Sequence, residues 1–448
     1  MNTRVISKSS FIRGQQCHKS LWLHLNQPDV RDEISEAQQR IFDTGHSVGS
    51  YAQQLFPGGI DASRGAHERI SEAVAYTQEL ITNGQSVIYE AAFSDGETLC
   101  YMDILVRENG KWRAFEVKAS TGVKDYQIMD VAFQYYVITR SGLVLADIYV
   151  VHINNQYVRH GEIDVQQLFT KVCMTSTILP MQKHIQENLA SIQKMLAISI
   201  VPEIGMGYQC THPYNCDFNE FCMKEVPISS EESEKESASR NQDALDEFKD
   251  DLEYPLFFMD FETIFPPVPI HDESRPYQQI PFQFSLHVQR SENGSIEHYE
   301  FLGTPPDDPR PAFIEELLAR LGNSGSIIVW NQGFEINRLR EIARDFPDYA
   351  RRIEQLFERF ADLMVPFRRR HLYKPEMNGS YSLKAVLPAV VSDLSYSDLE
   401  IQEGGSASMT YESLYFDPDD VSKANKRGNL LKYCELDTLI LVRILEVL

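Results

Sequence analysis

Long apolar runs are missing from this sequence. Nowhere do about 18 consecutive apolar residues occur, so neither a membrane-spanning helix nor a membrane partner is expected. The opening residues, MNTRVISKSSFIRGQQC, lack an apolar core followed by a small-residue cleavage site. A secretory signal is therefore not expected, and a cytoplasmic location is the default. Cysteine is sparse and odd in number, seven in 448 residues, which argues against a disulfide framework. Positive charge is also in short supply: 42 Lys and Arg against 65 Asp and Glu give a net charge of −23. Because phosphate binding rewards Lys and Arg, that balance by itself disfavours a nucleic-acid partner. Net charge is a coarse guide, however, since divalent-cation sites need several carboxylates and an acidic linker can dominate the total. Two basic clusters do exist, Arg368-Arg369-Arg370-His371 with Lys374, and Lys423 with Lys426-Arg427. Solvated loop charge and a phosphate track are equally good readings of them.

The length suits two or three domains, and the 43% apolar content is ordinary for a globular chain. Val226–Asp251 is rich in Ser, Glu and Asp and nearly free of large apolar residues, so it reads as an acidic linker with a helical end. It separates a first domain (1–225) from a second (252–448). In the first, SVIYEAAF, LCYMDILV and KWRAFEVKA are strand-like and joined through Asp95-Gly96 and Asn109-Gly110, which predicts an antiparallel meander. A helix over about 123–139 and the strand ADIYVVHI follow. In the second, YPLFFMDFET, FQFSLHVQ, IEHYEFLG and SIIVWN read as strands, with a helix near 311–321 and another from Asn429 to the end. Mixed helices and strands in both halves predict two α/β domains.

Chemistry first suggests itself at Asp103, Glu116 and Lys118, each inside an apolar strand. Side chains alternate along a strand, so Glu116 and Lys118 share a face, and pairing through the Asn109-Gly110 turn brings Asp103 near them. Burying two carboxylates and an ammonium is costly without a purpose, and a hard cation such as Mg²⁺ or Mn²⁺ would offset that cost. Glu90, on the preceding strand, is a further candidate ligand. Lys118 is then suited to position or help deprotonate water. This Asp, spacer, Glu-x-Lys pattern resembles the PD-(D/E)XK nucleases, whose fold is restriction-endonuclease-like. Gln134 on the following helix resembles the glutamine of the RecB-like subgroup. Where that subgroup often has a histidine on an early helix, this chain has Gly49, and His46 is out of register, so no histidine ligand is carried over.

Cys210, Cys216 and Cys222 follow that region in C-x5-C-x5-C spacing, and Cys17 precedes it. The gaps fit neither common zinc fingers nor ferredoxin runs. One cysteine before and three after the nuclease core resembles those RecB-like nucleases that hold a 4Fe–4S cluster. The resemblance implies a structural cluster on these four residues, with zinc as the second reading and free thiols the third. Cys100, Cys173 and Cys434 are expected to be simply buried.

The second half carries Asp260 and Glu262 on one face of an apolar strand, with Phe258 on that face and Met259 and Phe261 on the other. Glu335 lies near the start of a helix, and Tyr433 and Asp437 are i,i+4 on another. Asp-x-Glu, then Asn-x-x-Phe-Glu, then Tyr-x-x-x-Asp resembles the DnaQ-like 3′–5′ exonucleases, whose fold is ribonuclease-H-like. The resemblance implies two-metal phosphodiester hydrolysis with Tyr433 orienting water. Glu335 departs from it, since the family usually has Asp there, and Asp362 in FADLM resembles the later region of that fold.

The whole chain resembles a bacterial family of RecB-like nucleases with a C-terminal domain of unknown function. The expectation is therefore a metal-dependent nuclease with two sites, DNA favoured and RNA open. The alternatives are one active site with the other a binding module, or a non-enzymatic nucleic-acid-binding scaffold.

Overall fold

The computed structural model describes residues 4–33, 36–63, 70–225 and 237–448, and the chain divides into two units, Met1–Ser229 and Ser230–Leu448. Unit 1 is built on a seven-stranded sheet. Its strands are β1 (Ile6–Ser7), β2 (Ile60–Asp61), β3 (Val87–Ser94), β4 (Thr98–Glu108), β5 (Lys111–Lys118), β6 (Leu145–Ile153) and β7 (Phe169–Cys173). The order is β2-β3-β4-β5-β6-β7, with β1 parallel to β4. Asp95-Gly96 and Asn109-Gly110 make the turns of the β3-β4-β5 meander, with φ of 91°, 49° and 77° at Gly96, Asn109 and Gly110. Those left-handed values are why Gly and Asn stand there.

The helix Asp125–Arg140 carries the chain from β5 to a parallel β6. It packs with helices Lys8–Gln16 and Gln182–Leu196 in a core that includes Phe11, Phe133, Ile185 and Ile192, where Phe11 and Phe133 stack at 4.6 Å.

Unit 2 has β8 (Ser239–Arg240), β9 (Leu256–Ile264), β10 (Ile280–Gln289), β11 (Ile296–Leu302), β12 (Ile327–Val329), β13 (Phe360–Asp362) and β14 (Leu372–Tyr373). Five of these form a sheet in the order β11-β10-β9-β12-β13, antiparallel up to β9 and parallel beyond it. The central β9 is covered on both sides. Phe257, Met259 and Phe261 join a core with Phe313 and Leu317 of the helix Pro309–Leu321. Leu256 and Phe258 join another with Ile440 and Leu441 of the helix Asp420–Val447. Alternating side chains on a strand buried on both faces explain its nearly continuous apolar run.

Two boundaries differ from the sequence reading. The last helix begins at Asp420, where the Asp419 side chain accepts from the Val421 amide at 3.0 Å, so Lys423, Lys426 and Arg427 are helical. Residues 226–236 of the acidic segment lie outside the described residues, but its later part is not linker. Gln242–Asp250 is a helix capped by Asn241, and its Leu245 is fully buried beside Phe248 and Leu252. One apolar stripe suffices to dock a nine-residue helix whose composition is otherwise charged. Among the described residues no helix is long and apolar enough to cross a membrane.

Truncating this anchor tests whether the helix belongs to unit 2. Leu245→Ala is expected to destabilise the unit by about 2–5 kcal/mol. Urea denaturation followed by circular dichroism measures the loss, and an unchanged midpoint would show that the helix does not pack as described.

Candidate metal and catalytic sites

In unit 1, β4 and β5 stay paired from Glu108 opposite Lys111 to Ile104 opposite Phe115, and the ladder ends there. β5 continues on β6, with Glu116 opposite Val150 and Lys118 opposite His152. Beyond the end of the ladder the Val117 N–H donates to Asp103 Oδ2 at 2.6 Å, so a carboxylate stands where a strand carbonyl would. The expected trio therefore converges. Lys118 Nζ lies 2.8 Å from Glu116 Oε1.

Two further groups, not identified from sequence, complete the cluster. Lys8, at the first position of the helix Lys8–Gln16, also reaches Glu116 Oε1 at 2.8 Å. Asp130, on the helix Asp125–Arg140, pairs closely with Lys118 and lies 3.9 Å from Lys8. Asp130 was detectable in principle, since it is i−4 to Gln134 on one helix face. Lys8 had no local signal, being 108 residues away from its partner.

Burial would raise Glu116, but Lys118 and Lys8 overcome it and hold the carboxyl well below its usual range. Asp103 goes the other way, raised by burial and then by the Glu116 charge. Burial tends to strip the proton from each lysine, yet the facing carboxylates win, so both stay ammonium ions. Lys118 can thus orient groups and neutralise charge, and it is a poor proton acceptor. Glu90 sits beside this cluster at φ 50°, a left-handed conformation inside a strand. Such strain costs about 1–3 kcal/mol in a residue with a side chain. Burial, with Asp61 and Glu116 nearby, pushes its carboxyl up to about 7. Gln134 is fully buried, and neither polar atom of its side chain has a protein partner; Glu116 Oε2 is likewise buried and unpartnered.

The four cysteines that the resemblance grouped come together. Cys17, Cys210, Cys216 and Cys222 line one small cavity with Lys19, Ser20 and Phe218, although Cys17 is far from the others in sequence. All four are free thiols, none in a disulfide. Burial first, then the neighbouring sulfurs, pushes Cys222 up despite Lys19. Of the remaining cysteines, Cys100 and Cys434 are buried as expected, while Cys173 is exposed on β7.

In unit 2, donor oxygens of Asp260, Glu262 and Asp437 lie within 4.8 Å of one another. β9 presents the first two on the face that packs against the helix Asp420–Val447, which supplies the third. Burial raises all three, and Asp437 then adds to the rise at Asp260 and Glu262. Asp437 itself reaches about 7. Among the described residues no lysine forms an ion pair with them as in unit 1, although Lys384 is near enough to lower Asp437; Tyr396, which sequence reasoning missed, hydrogen-bonds Asp437 Oδ1. Burial and the same carboxylates push the Tyr433 phenol up, so it remains a proton donor.

Glu335 stands outside that three-residue group. It occupies the first turn of the helix Gln332–Asp345, 3% exposed, and burial raises it to about 8 with Asp362 contributing. Its Oε2 is buried without a partner. The basic clusters are partly absorbed into the fold. Arg427 donates to the Leu302 and Gly303 carbonyls, Lys426 pairs with Asp417, and Lys374 donates to the Ala389 carbonyl. Arg368 and Arg369 stay exposed; burial raises Asp362, and Arg368 is close enough to offset part of that rise.

A family model described as a domain of unknown function, DUF2779, matches residues 257–382. That span holds Asp260, Glu262, Glu335 and Asp362 and ends before Tyr433 and Asp437. Curated relatives include an uncharacterized protein of Mycoplasma pneumoniae, 27% identical over 205 residues, or 42% of this chain and 31% of the relative. An uncharacterized protein of Mycoplasma genitalium is 27% identical over 206 residues, with the same shares of 42% and 31%. A third, from Ureaplasma parvum, is 25% identical over 169 residues, 33% of this chain and 24% of the relative. The chain thus spans less than a third of the length of the curated relatives it matches.

Three carboxylates forced together should respond to a cation. Mn²⁺ is expected to raise the Tm of the wild-type chain. Asp437→Asn, which removes one charge, is expected to lose that response and to melt higher without metal, by about 0.5–2 kcal/mol. Equal Mn²⁺ shifts in both proteins would show that the group does not hold the ion.

Proposed function

We propose that the chain is a divalent-metal-dependent nuclease in which unit 2 acts as a DnaQ-like 3′–5′ exonuclease and unit 1 as a RecB-like nuclease. The observation that carries this is the approach of Asp260, Glu262 and Asp437 to within 4.8 Å on a doubly covered central strand. Mutual repulsion in a desolvated site is tolerated when a hard cation takes up the oxygens. The residues present fit such ions. Glu335 Oε2 and Glu116 Oε2 are buried with open lone pairs, and the donors are carboxylates rather than thiolates. The sheet order of unit 2, with an antiparallel meander leading to parallel edge strands, also suits a ribonuclease-H-like fold.

Divalent cations, when bound, supply Lewis acidity toward water and the leaving oxygen. The chain's own residues do the rest. Tyr433 keeps its proton and presents a donor that orients the attacking water. Tyr396 fixes Asp437 through its hydroxyl. In unit 1, the Lys8 and Lys118 ammonium groups face where negative charge gathers on a phosphate under attack. Exposed Arg368, near Asp362, would meet the strand backbone in this reading, with single-stranded DNA or DNA ends favoured over RNA.

The cysteine cavity supports a structural 4Fe–4S cluster. Four free thiols from both ends of unit 1 converge, and soft thiolates suit iron–sulfur before zinc. Such a cluster would join the start and end of the unit as a cross-link closing a long loop.

A second reading keeps hydrolysis in unit 2 and makes unit 1 a binding module. It is favoured by the pairing of Glu116 with two ammonium groups at 2.8 Å, which already neutralise it.

Digestion of end-labelled single-stranded DNA with Mn²⁺ separates these. Asp260→Ala is expected to lose stepwise shortening from the 3′ end by roughly 100-fold or more. If Lys118→Ala removes the remaining cleavage, both sites are active; if it changes only strand affinity, the second reading holds. Unchanged products in both variants would end the nuclease assignment. Anaerobically purified protein is expected to be brown and to contain iron and sulfide, lost in Cys216→Ser. A colourless wild type with zinc on these cysteines would replace the cluster by zinc.

A further inference from the structure

A second group of donors lies on the same sheet face but belongs to neither site above. His287 on β10 and His298 on β11 are directly opposite in the ladder, and their rings face each other at 4.5 Å. Glu435 reaches over from the helix Asp420–Val447, with Oε1 3.8 Å from His298 Nδ1. One donor atom from each of the three can be chosen so that all lie within 4.8 Å of one another.

What distinguishes this group from a chance ion pair is how the rings are held. His287 Nδ1 is 2.8 Å from Thr438 Oγ1, and His298 Nε2 is 2.9 Å from Ser285 Oγ. The two hydroxyls are 2.7 Å apart and bonded to each other. Each imidazole is thus fixed through one nitrogen, leaving Nε2 of His287 and Nδ1 of His298 for another partner. Histidine ligands are commonly oriented by such a bond on the far nitrogen. Burial, followed by the facing His298, pushes His287 down to about 4, so its ring is neutral at ordinary pH.

We propose that His287, His298 and Glu435 form a metal site of the zinc class, separate from the carboxylate group and from the cysteine cavity. Two imidazoles and a carboxylate are a zinc donor set, with bonds of about 2.0–2.2 Å and room for water in the fourth position. Tetrahedral bonds of that length need ligand atoms about 3.5 Å apart. The donor atoms, within 4.8 Å of one another, must draw closer to reach it; Glu435, which is exposed, can rotate toward the rings, while the spacing of the two rings is set by the β10–β11 ladder. The site ties β10 and β11 to the helix that presents Tyr433 and Asp437, with Glu435 lying between them in sequence. A bound ion would join that helix to the sheet and keep one position for water, and the site stands whether or not the nuclease assignment does.

The test is calorimetric titration of the chelator-treated full-length chain with Zn²⁺. Wild type is expected to show a binding event that survives in Cys216→Ser and in Asp260→Asn. His298→Gln should abolish that event, and Glu435→Gln should weaken it at least tenfold. Co²⁺ at the site should give a visible spectrum without thiolate charge transfer. The proposal is overturned if His298→Gln, folded by circular dichroism, titrates like wild type. It is overturned equally if every zinc event of the wild type disappears in Cys216→Ser or Asp260→Asn. Should His298→Gln fail to fold, the surface change Glu435→Gln decides alone, and unchanged affinity there rejects the site.

Discussion

Asp260 and Glu262 lie on a strand that is covered on both faces, and Asp437 is pressed toward them by the helix Asp420–Val447. Burial raises each of these carboxyls, and the charge of Asp437 then raises Asp260 and Glu262 further. The carboxyls therefore resist charging, with Asp437 pushed up to about 7, while Phe257, Phe258 and Met259 fix the strand they stand on. Buried carboxyls whose pKa is raised in this way are characteristic of functional sites. The surrounding apolar packing has a function in this light, since it holds the oxygens close when their own interaction would drive them apart.

Unit 1 meets the same difficulty differently. Glu116 is as buried as any residue of the second site, yet it is held ionised because Lys8 and Lys118 both contact it. The neighbouring carboxyls divide the consequences: Asp103 is raised by the Glu116 charge, and Glu90 is raised to about 7. In unit 1 two ammonium groups contact the buried carboxylate directly, while in unit 2 the positive charge, Lys384, acts without an ion pair among the described residues. That contrast lies in which groups surround the buried carboxyls, two lysines in unit 1 and two tyrosines in unit 2.

The helices around both sites act as frames for chemistry. The helix Asp125–Arg140 contributes Phe133 to the core and Asp130 to Lys118 from neighbouring turns. The helix Asp420–Val447 packs Ile440 and Leu441 on β9 while presenting Tyr433, Glu435 and Asp437 toward polar groups. A shift of either helix would move ligands and core residues together, which couples the stability of each unit to the geometry of its site.

Much of this was legible in the sequence, for local reasons. The meander followed from turn residues that tolerate positive φ, and the facing of Asp260 and Glu262 followed from the two-residue period of a strand. Tyr433 and Asp437 followed from the turn of a helix. The start of the last helix was missed because Asp419 caps it through a side-chain bond that composition does not display, and Leu245 was hidden in a charged segment that docks by a narrow stripe. Lys8, Asp130 and Tyr396 belong to the sites only through contacts between elements distant in sequence, and periodicity says nothing about those. The convergence of Cys17 with three cysteines nearly two hundred residues later was expected from the resemblance, not from local pattern, and that Glu335 lies outside the three closest carboxylates while still near enough to raise Asp260 was decided by packing. Local sequence sets which way a side chain points from its own strand or helix. Which elements it then meets depends on how they share a core, and that is a property of the folded chain.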